Sequence, residues 1–189
     1  MEADPHSFAI PRLHGRTKAA LVEIQADEYG GGDAERMHSR LFAGTMLAMG
    51  LDPTPDAYLD RIPGVTLATV NLMSLFGLHR RLRGALVGHL GLFELTSSIP
   101  NLRYGNGLRR LGFDPGATDF FDEHVEADAV HGAIASQDLA GSFAEGDAER
   151  ASQVLFGADA LGLLESLASM YVLESWGRGV SSLLDVGDR

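Results

Sequence analysis

The chain of 189 residues is long enough for one domain with a substantial core, spanning 1–189. Its 45% hydrophobic content, without a secretory leader or a charge-free apolar run of span length, reads as a globular cytoplasmic protein. A surplus of 26 acidic over 15 basic residues, net −11, argues against nucleic acid and anionic membrane surfaces as partners. With no cysteine, disulfides, thiolate zinc sites, cysteine-ligated clusters and cysteine nucleophiles are excluded, so any metal must sit on His, Asp and Glu.

The predicted elements are all helical. From Gly15 to Tyr29 the spacing of Ala20, Leu21 and Ile24 gives an apolar stripe that Glu28 continues, while Glu23 and Asp27 lie off it. Gly30, Gly31 and Gly32 interrupt that helix, and Asp33 is placed to cap a second one running to about Met49, with Glu35, His38, Leu41, Phe42 and Thr45 along one side. Leu51 to Pro55 reads as a turn and Pro55 as the start of a short helix ending before Pro63. Val65 to Leu78 is apolar enough for a buried helix, and His79 to Arg83 forms a basic turn. Beyond it His89 and Glu94 are the only titratable side chains before Arg103. A core helix to about Ser97, a turn at Pro100 and a short helix from Asn101 to Leu111 are expected. Thr118 caps the next helix, and after the turn at Glu145 to Asp147 a long one from Ala148 to Ser175 closes the fold.

The chemistry concentrates between Phe120 and Ala135, where His124, Asp128 and His131 stand at i, i+4 and i+7 and fall within about 60° of one another on a helix. Phe120, Phe121, Ala127, Ile134 and Ala135 make the same region apolar. A carboxylate there is poorly hydrated, and a divalent transition metal accepts both imidazole and carboxylate. Asp122, Glu123 and Glu126 read as a solvated acidic face. Glu28, His38 and Glu94 come from three further segments, and Glu28 and Glu94 each interrupt an apolar stripe. Glu28 and His38 can face one site only if the three glycines re-aim the chain. Three histidines and at least three carboxylates exceed what one ion needs, and two ions bridged by carboxylates would use them all. His6, His14, His79 and His89 have no partners at ligand spacing and read as surface or hydrogen-bonded residues. Arg103, Arg109 and Arg110 read as solvated.

Glu2-Ala-Asp-Pro-His6, Gln25-Ala-Asp-Glu28-Tyr-Gly, Met37-His38-Ser-Arg-Leu-Phe42, Gly91-Leu-Phe-Glu94 and His124-x3-Asp128-x2-His131 together resemble the heme-oxygenase-like diiron oxidases, also called the iron-containing redox enzyme family, over nearly the whole chain. The resemblance implies an all-α, heme-oxygenase-like helical bundle. Glu28, His38, Glu94, His124, Asp128 and His131 would ligate two Fe(II) ions, and Glu2 matches a further carboxylate ligand of the N-oxygenase branch. It implies a non-heme diiron oxidase or oxygenase that uses O2 to oxidise a small amine, amino acid or fatty acid. Similar proteins carry more helices ahead of the Glu2 motif, so a homodimer or a partner subunit is expected to close the bundle. The competing expectation is a non-catalytic metal-binding or interaction module that pairs with another chain. Glu35-x-x-His38 has the form used in ferritin-like bundles, but those take two such motifs and one is present; Glu35 stands as the substitute for Glu28.

Overall fold

The computed structural model describes residues 3–185, apart from the side chains of Asp128 and Ala129; the Glu2 motif carboxylate and the Asp128 side chain thus lie outside the described residues. Among those described, every regular element is a helix: α1 (Asp4–Ser7), α2 (Gly15–Glu28), α3 (His38–Ala48), α4 (Gly64–Leu78), α5 (Arg83–Arg110), α6 (Asp119–Ala133), α7 (Ser142–Ala144) and α8 (Ala148–Gly177). A π-helical segment, Ile134–Gly141, joins α6 to α7.

The central element is α5, with α6 on one side and α8 on another, while α2 packs on the π-helical segment and α1 on α4. Its first half is buried almost continuously from Gly84 to Gly91. Leu86, Val87 and Leu90 meet Leu21 and Ile24 of α2, Phe76 of α4 and Leu139 in one apolar core. Glycines let α5 and α8 cross backbone to backbone. A Cβ on Gly88 would stand 1.8 Å from the Val154 carbonyl oxygen, and one on Gly157 1.9 Å from that of Ala85. Asp147 caps α8, its carboxylate accepting from the backbone N–H groups of Glu149 and Arg150, both at 3.0 Å.

Four expectations are corrected. No turn divides α5 at Pro100: the helix runs through to Arg110. Proline removes only the donor that would bond the Thr96 carbonyl, one bond of a 28-residue helix, and Thr96 Oγ1 and Asn101 Nδ2 add side-chain bonds to the neighbouring Leu92 and Ser97 carbonyls at 2.8 and 3.1 Å. After Pro55 there is only a 3₁₀ turn, Leu59–Arg61, because Asp56 takes a left-handed φ of 65° that a helix cannot accommodate. Thr118 precedes α6 without capping it; its hydroxyl donates to Asp122 Oδ2 at 3.0 Å instead.

The fourth correction concerns burial. In α4 only Met73, Phe76 and Gly77 are buried, and Val70, Leu75 and Leu78 face outward. In α8 only Gly157, Leu161, Ala168 and Ser175 are buried, leaving Leu155, Phe156, Leu163, Met170, Leu173 and Trp176 exposed. By length and composition, with Asp159 and Glu165 inside it, α8 could cross a membrane, and its most apolar 18-residue window is 11% buried. Those two properties alone do not distinguish a span from a helix whose outer face docks on protein.

The glycine crossing generates a test. Gly88→Ala forces a methyl into the Val154 carbonyl and is expected to cost about 3 kcal/mol or more. Gly107→Ala on the same helix meets nothing within 4 Å and should be neutral or stabilising by about 0.5–1 kcal/mol. Urea unfolding of the two variants checks this, and equal effects would contradict it.

Candidate metal centre

The centre begins where α2 ends, at Glu28. Gly30 has a φ of +66°, and a Cβ there would lie 2.7 Å from the Arg36 backbone carbon, so the chain can double back only with glycine at this position. Asp33 holds the returning turn, its carboxylate accepting from the Glu35 N–H at 3.0 Å, and α3 then starts at His38. The reversal the sequence required is therefore made by two 3₁₀ turns, Gly30–Gly32 and Ala34–Arg36, not by one helix running from Asp33. It brings His38 Nδ1 to 3.1 Å from Glu28 Oε2.

Three more donors arrive from the two helices crossing behind. Glu94 on α5, and His124 and His131 on α6, are all buried. Glu28, His38 and His124 present one ligand atom each within 4.8 Å of one another, and so do Glu28, Glu94 and His131. Glu28 belongs to both groups. Glu35, the substitute for Glu28, instead points outward and pairs with Arg40 at 3.2 Å.

Protein partners orient two of the rings. His124 Nδ1 lies 2.8 Å from the Phe120 carbonyl, an acceptor only, so that nitrogen carries the proton and Nε2 the lone pair. His131 Nε2 donates to Asp27 Oδ2 at 2.8 Å, while its Nδ1 faces Glu94 Oε2 at 3.4 Å. Asp27 was not among the candidates read from the sequence. It lies off the apolar stripe of α2, and its partner is 104 residues away, so no local signal reveals it.

The fit to a metal is tested by what the protein leaves unsatisfied. Among the described residues, Glu28 Oε2, His38 Nδ1 and His131 Nδ1 are buried without a hydrogen-bond partner, although each lies near an opposite group. Orphaned polar atoms inside a protein cost about 1–3 kcal/mol each, and a shared cation removes that cost. An imidazole and carboxylate donor set suits ferrous iron. Gln25 Nε2 and Thr45 Oγ1 are also buried without a partner among the described residues.

Beside the centre lies a cavity of about 380 Å³ whose wall includes Asp27, Arg36, His38, Glu123 and Glu126. Arg36 pairs with Glu123 at 2.9 Å and Asp27 with His131 at 2.8 Å, and the three carboxylates of the wall, Asp27, Glu123 and Glu126, outnumber its one arginine. Of the histidines set aside, His14 and His79 are exposed. His6 and His89 are buried together, with His6 Nε2 3.2 Å from His89 Nδ1. Burial, and for His6 also the neighbouring ring, lowers both, His89 to about 4, so the pair is neutral.

Burial works to lower the His131 pKa, but the Glu94 and Asp27 carboxylates outweigh it and push the ring from 6.5 up to about 9. The folded value is raised. The metal-free protein therefore holds this contribution fully below about 6.5 and loses it as pH rises through about 9. A metal must displace the same proton, so its affinity should climb as pH rises toward 9. Melting curves of metal-free chain and His131→Gln across this range check the assignment; an unchanged alkaline slope in the variant would contradict it.

Residues 1–165 match the family of iron-containing redox enzymes. A nitrosourea synthase from Streptomyces achromogenes subsp. streptozoticus is 27% identical over 140 residues, covering 73% of this chain and 29% of that protein. The chain thus spans less than a third of that relative's length. With its helical bundle and its buried histidine and carboxylate cluster, this chain belongs to the iron-containing redox enzyme family and has the heme-oxygenase-like fold.

Proposed function

We propose that the protein is a non-heme diiron oxidase or oxygenase that takes two Fe(II) ions, uses O2, and oxidises a small nitrogen-bearing substrate. The observation that carries the reading is Glu28, one carboxylate common to two ligand groups, as a bridged metal pair requires. Glu28, His38 and His124 would hold one ion and Glu28, Glu94 and His131 the other. Asp128 and Glu2 would add carboxylates by resemblance. When bound, the iron pair supplies the redox chemistry that couples O2 reduction to substrate oxidation.

The protein's own part is orientation and exclusion of water. Asp27 and the Phe120 carbonyl fix the orientation of the His131 and His124 rings before any metal arrives, and His131 gives up a ring proton when a metal takes its place. The Phe120 ring lies 4.2 Å from that of His124, and Phe42 packs on it at 5.0 Å, so the side of the centre toward α3 is apolar. The entrance is acidic, with three carboxylates, Asp27, Glu123 and Glu126, to one arginine, and Glu126 on its outer side is exposed. That charge disfavours a fatty acid and favours a cationic nitrogen compound. The name of the nitrosourea-forming relative supports the same class, since a nitrosourea carries oxidised nitrogen.

The outward apolar side chains of α8, among them Leu163, Leu173 and Trp176, support association with a second copy or a partner chain. No observation favours a purely non-catalytic module.

Anaerobic loading with Fe(II), followed by O2 uptake with amines, guanidines, amino acids and fatty acids, tests the function. Uptake is expected to be stimulated by cationic amines or guanidines, and Glu126→Lys should raise KM for them by about tenfold while leaving iron content unchanged. Stimulation by fatty acids alone would contradict the substrate class, and no O2 uptake with any of them would contradict the enzyme reading. His124→Ala and Glu94→Ala should each lower iron content with helical circular dichroism intact; loss of the helical signal would favour a structural role.

A further inference from the structure

A second cavity, of about 210 Å³, lies where α2, α5 and α8 begin, and Arg12, Arg80, Arg83 and Arg150 all line it together with Thr17. Four of the chain's 15 basic residues thus meet at one place in a protein of net charge −11. Arg16, Arg36, Arg40 and Arg109 each pair with a carboxylate, whereas Arg61, Arg81, Arg103, Arg110 and Arg178 stand singly rather than gathered around one cavity. Within the cavity only Arg150 pairs with a carboxylate, that of Asp147 at 3.2 Å. Among the described residues Arg12, Arg80 and Arg83 have no carboxylate within ion-pair reach.

The placement also runs against helix electrostatics. Arg83 is the first residue of α5 and Arg150 the third of α8, where the positive end of the helix disfavours cations. Neither α2 nor α5 has a side-chain cap or an acidic residue in its first turn, so their leading N–H groups add to the positive field. Two of the guanidinium groups are held in place. Arg12 Nη1 donates to the Gly77 carbonyl at 2.6 Å, and Arg150 lies over the Phe143 ring at 5.7 Å. The floor, Leu13 and Phe143, is buried and apolar, which strengthens any charge interaction above it.

We propose that this cavity binds a phosphoryl group, free or borne by a small molecule, at a site separate from the metal centre. Guanidinium forks match phosphate oxygens in bidentate geometry, and a multiply charged anion relieves the repulsion among four cations. Thr17 and Arg83 are each eleven residues from Glu28 and Glu94 along α2 and α5, about 16 Å at helical rise. A ligand held here does not reach the centre unless it is long, so the site acts as an anchor or an effector site. This inference stands independently of the diiron reading.

Isothermal titration of the metal-free chain with pyrophosphate, inorganic phosphate and citrate at fixed ionic strength tests it. One saturable equivalent of pyrophosphate is expected, bound more tightly than citrate and accompanied by a rise in Tm. Arg80→Ala with Arg83→Ala should weaken it by about tenfold or more while leaving iron binding unchanged. Should that double variant fold poorly, Arg80→Glu alone, at an exposed position, carries the same expectation. Absence of saturable binding, citrate binding as tightly as pyrophosphate, or wild-type affinity in a folded variant would each overturn the proposal. A phosphate monoester outcompeting inorganic phosphate would identify a phosphorylated small molecule as the source, and the reverse would identify the free anion.

Discussion

Glu28 and Glu94 sit within a few ångströms of each other among His38, His124 and His131, in space from which water is largely excluded. Carboxylates so placed repel. At about 4 Å and an effective dielectric near 20 the cost is about 4 kcal/mol, a large part of a typical domain's stability. In the metal-free chain the repulsion is reduced by the proton that Glu94 and Asp27 hold on His131. The remaining architecture serves this concentration of charge. Glycine contacts bring α5 and α8 together, α5 carries Glu94 inward, and the turn at Gly30 returns His38 to Glu28.

Much of this was legible from residue types and spacing. Glutamates that continue an apolar stripe, as Glu28 and Glu94 do, announce a buried charge in need of a partner. The i, i+4, i+7 pattern from His124 to His131 puts two imidazoles on one face of α6, and the fold places both in the cluster. The glycines after Tyr29 announced a change of direction. What spacing cannot carry is contact between distant segments: Asp27 meets His131 across 104 residues, and Gly157 meets Ala85 through backbone atoms alone. The continuity of α5 was obscured because Pro100 is a helix breaker by propensity, yet it removes a single backbone bond from a helix held by packing on α6 and α8. Apolar composition was the least informative signal. In α8 the apolar stripe of Val154, Leu155, Ala158, Leu161, Leu164, Leu167 and Ala168 leaves Leu155 and Leu167 outside, since periodicity shows that a face is apolar and not what covers it.

The two ends of the bundle differ in electrostatic character. One gathers carboxylates around histidines and opens through an acidic entrance at Asp27 and Glu126. The other gathers unpaired arginines at the starts of α2 and α5. α2 carries both Thr17 of the arginine cavity and Glu28 of the centre, and α5 both Arg83 and Glu94.

The central claim is that Glu28 bridges two metal ions, and anaerobic Fe(II) titration followed by X-ray absorption on the loaded chain tests it most directly. The expected result is two equivalents per chain with an iron–iron vector at about 3.5–4 Å, and loss of that vector in Glu28→Ala. A single equivalent, or two equivalents without a short iron–iron vector, would contradict it.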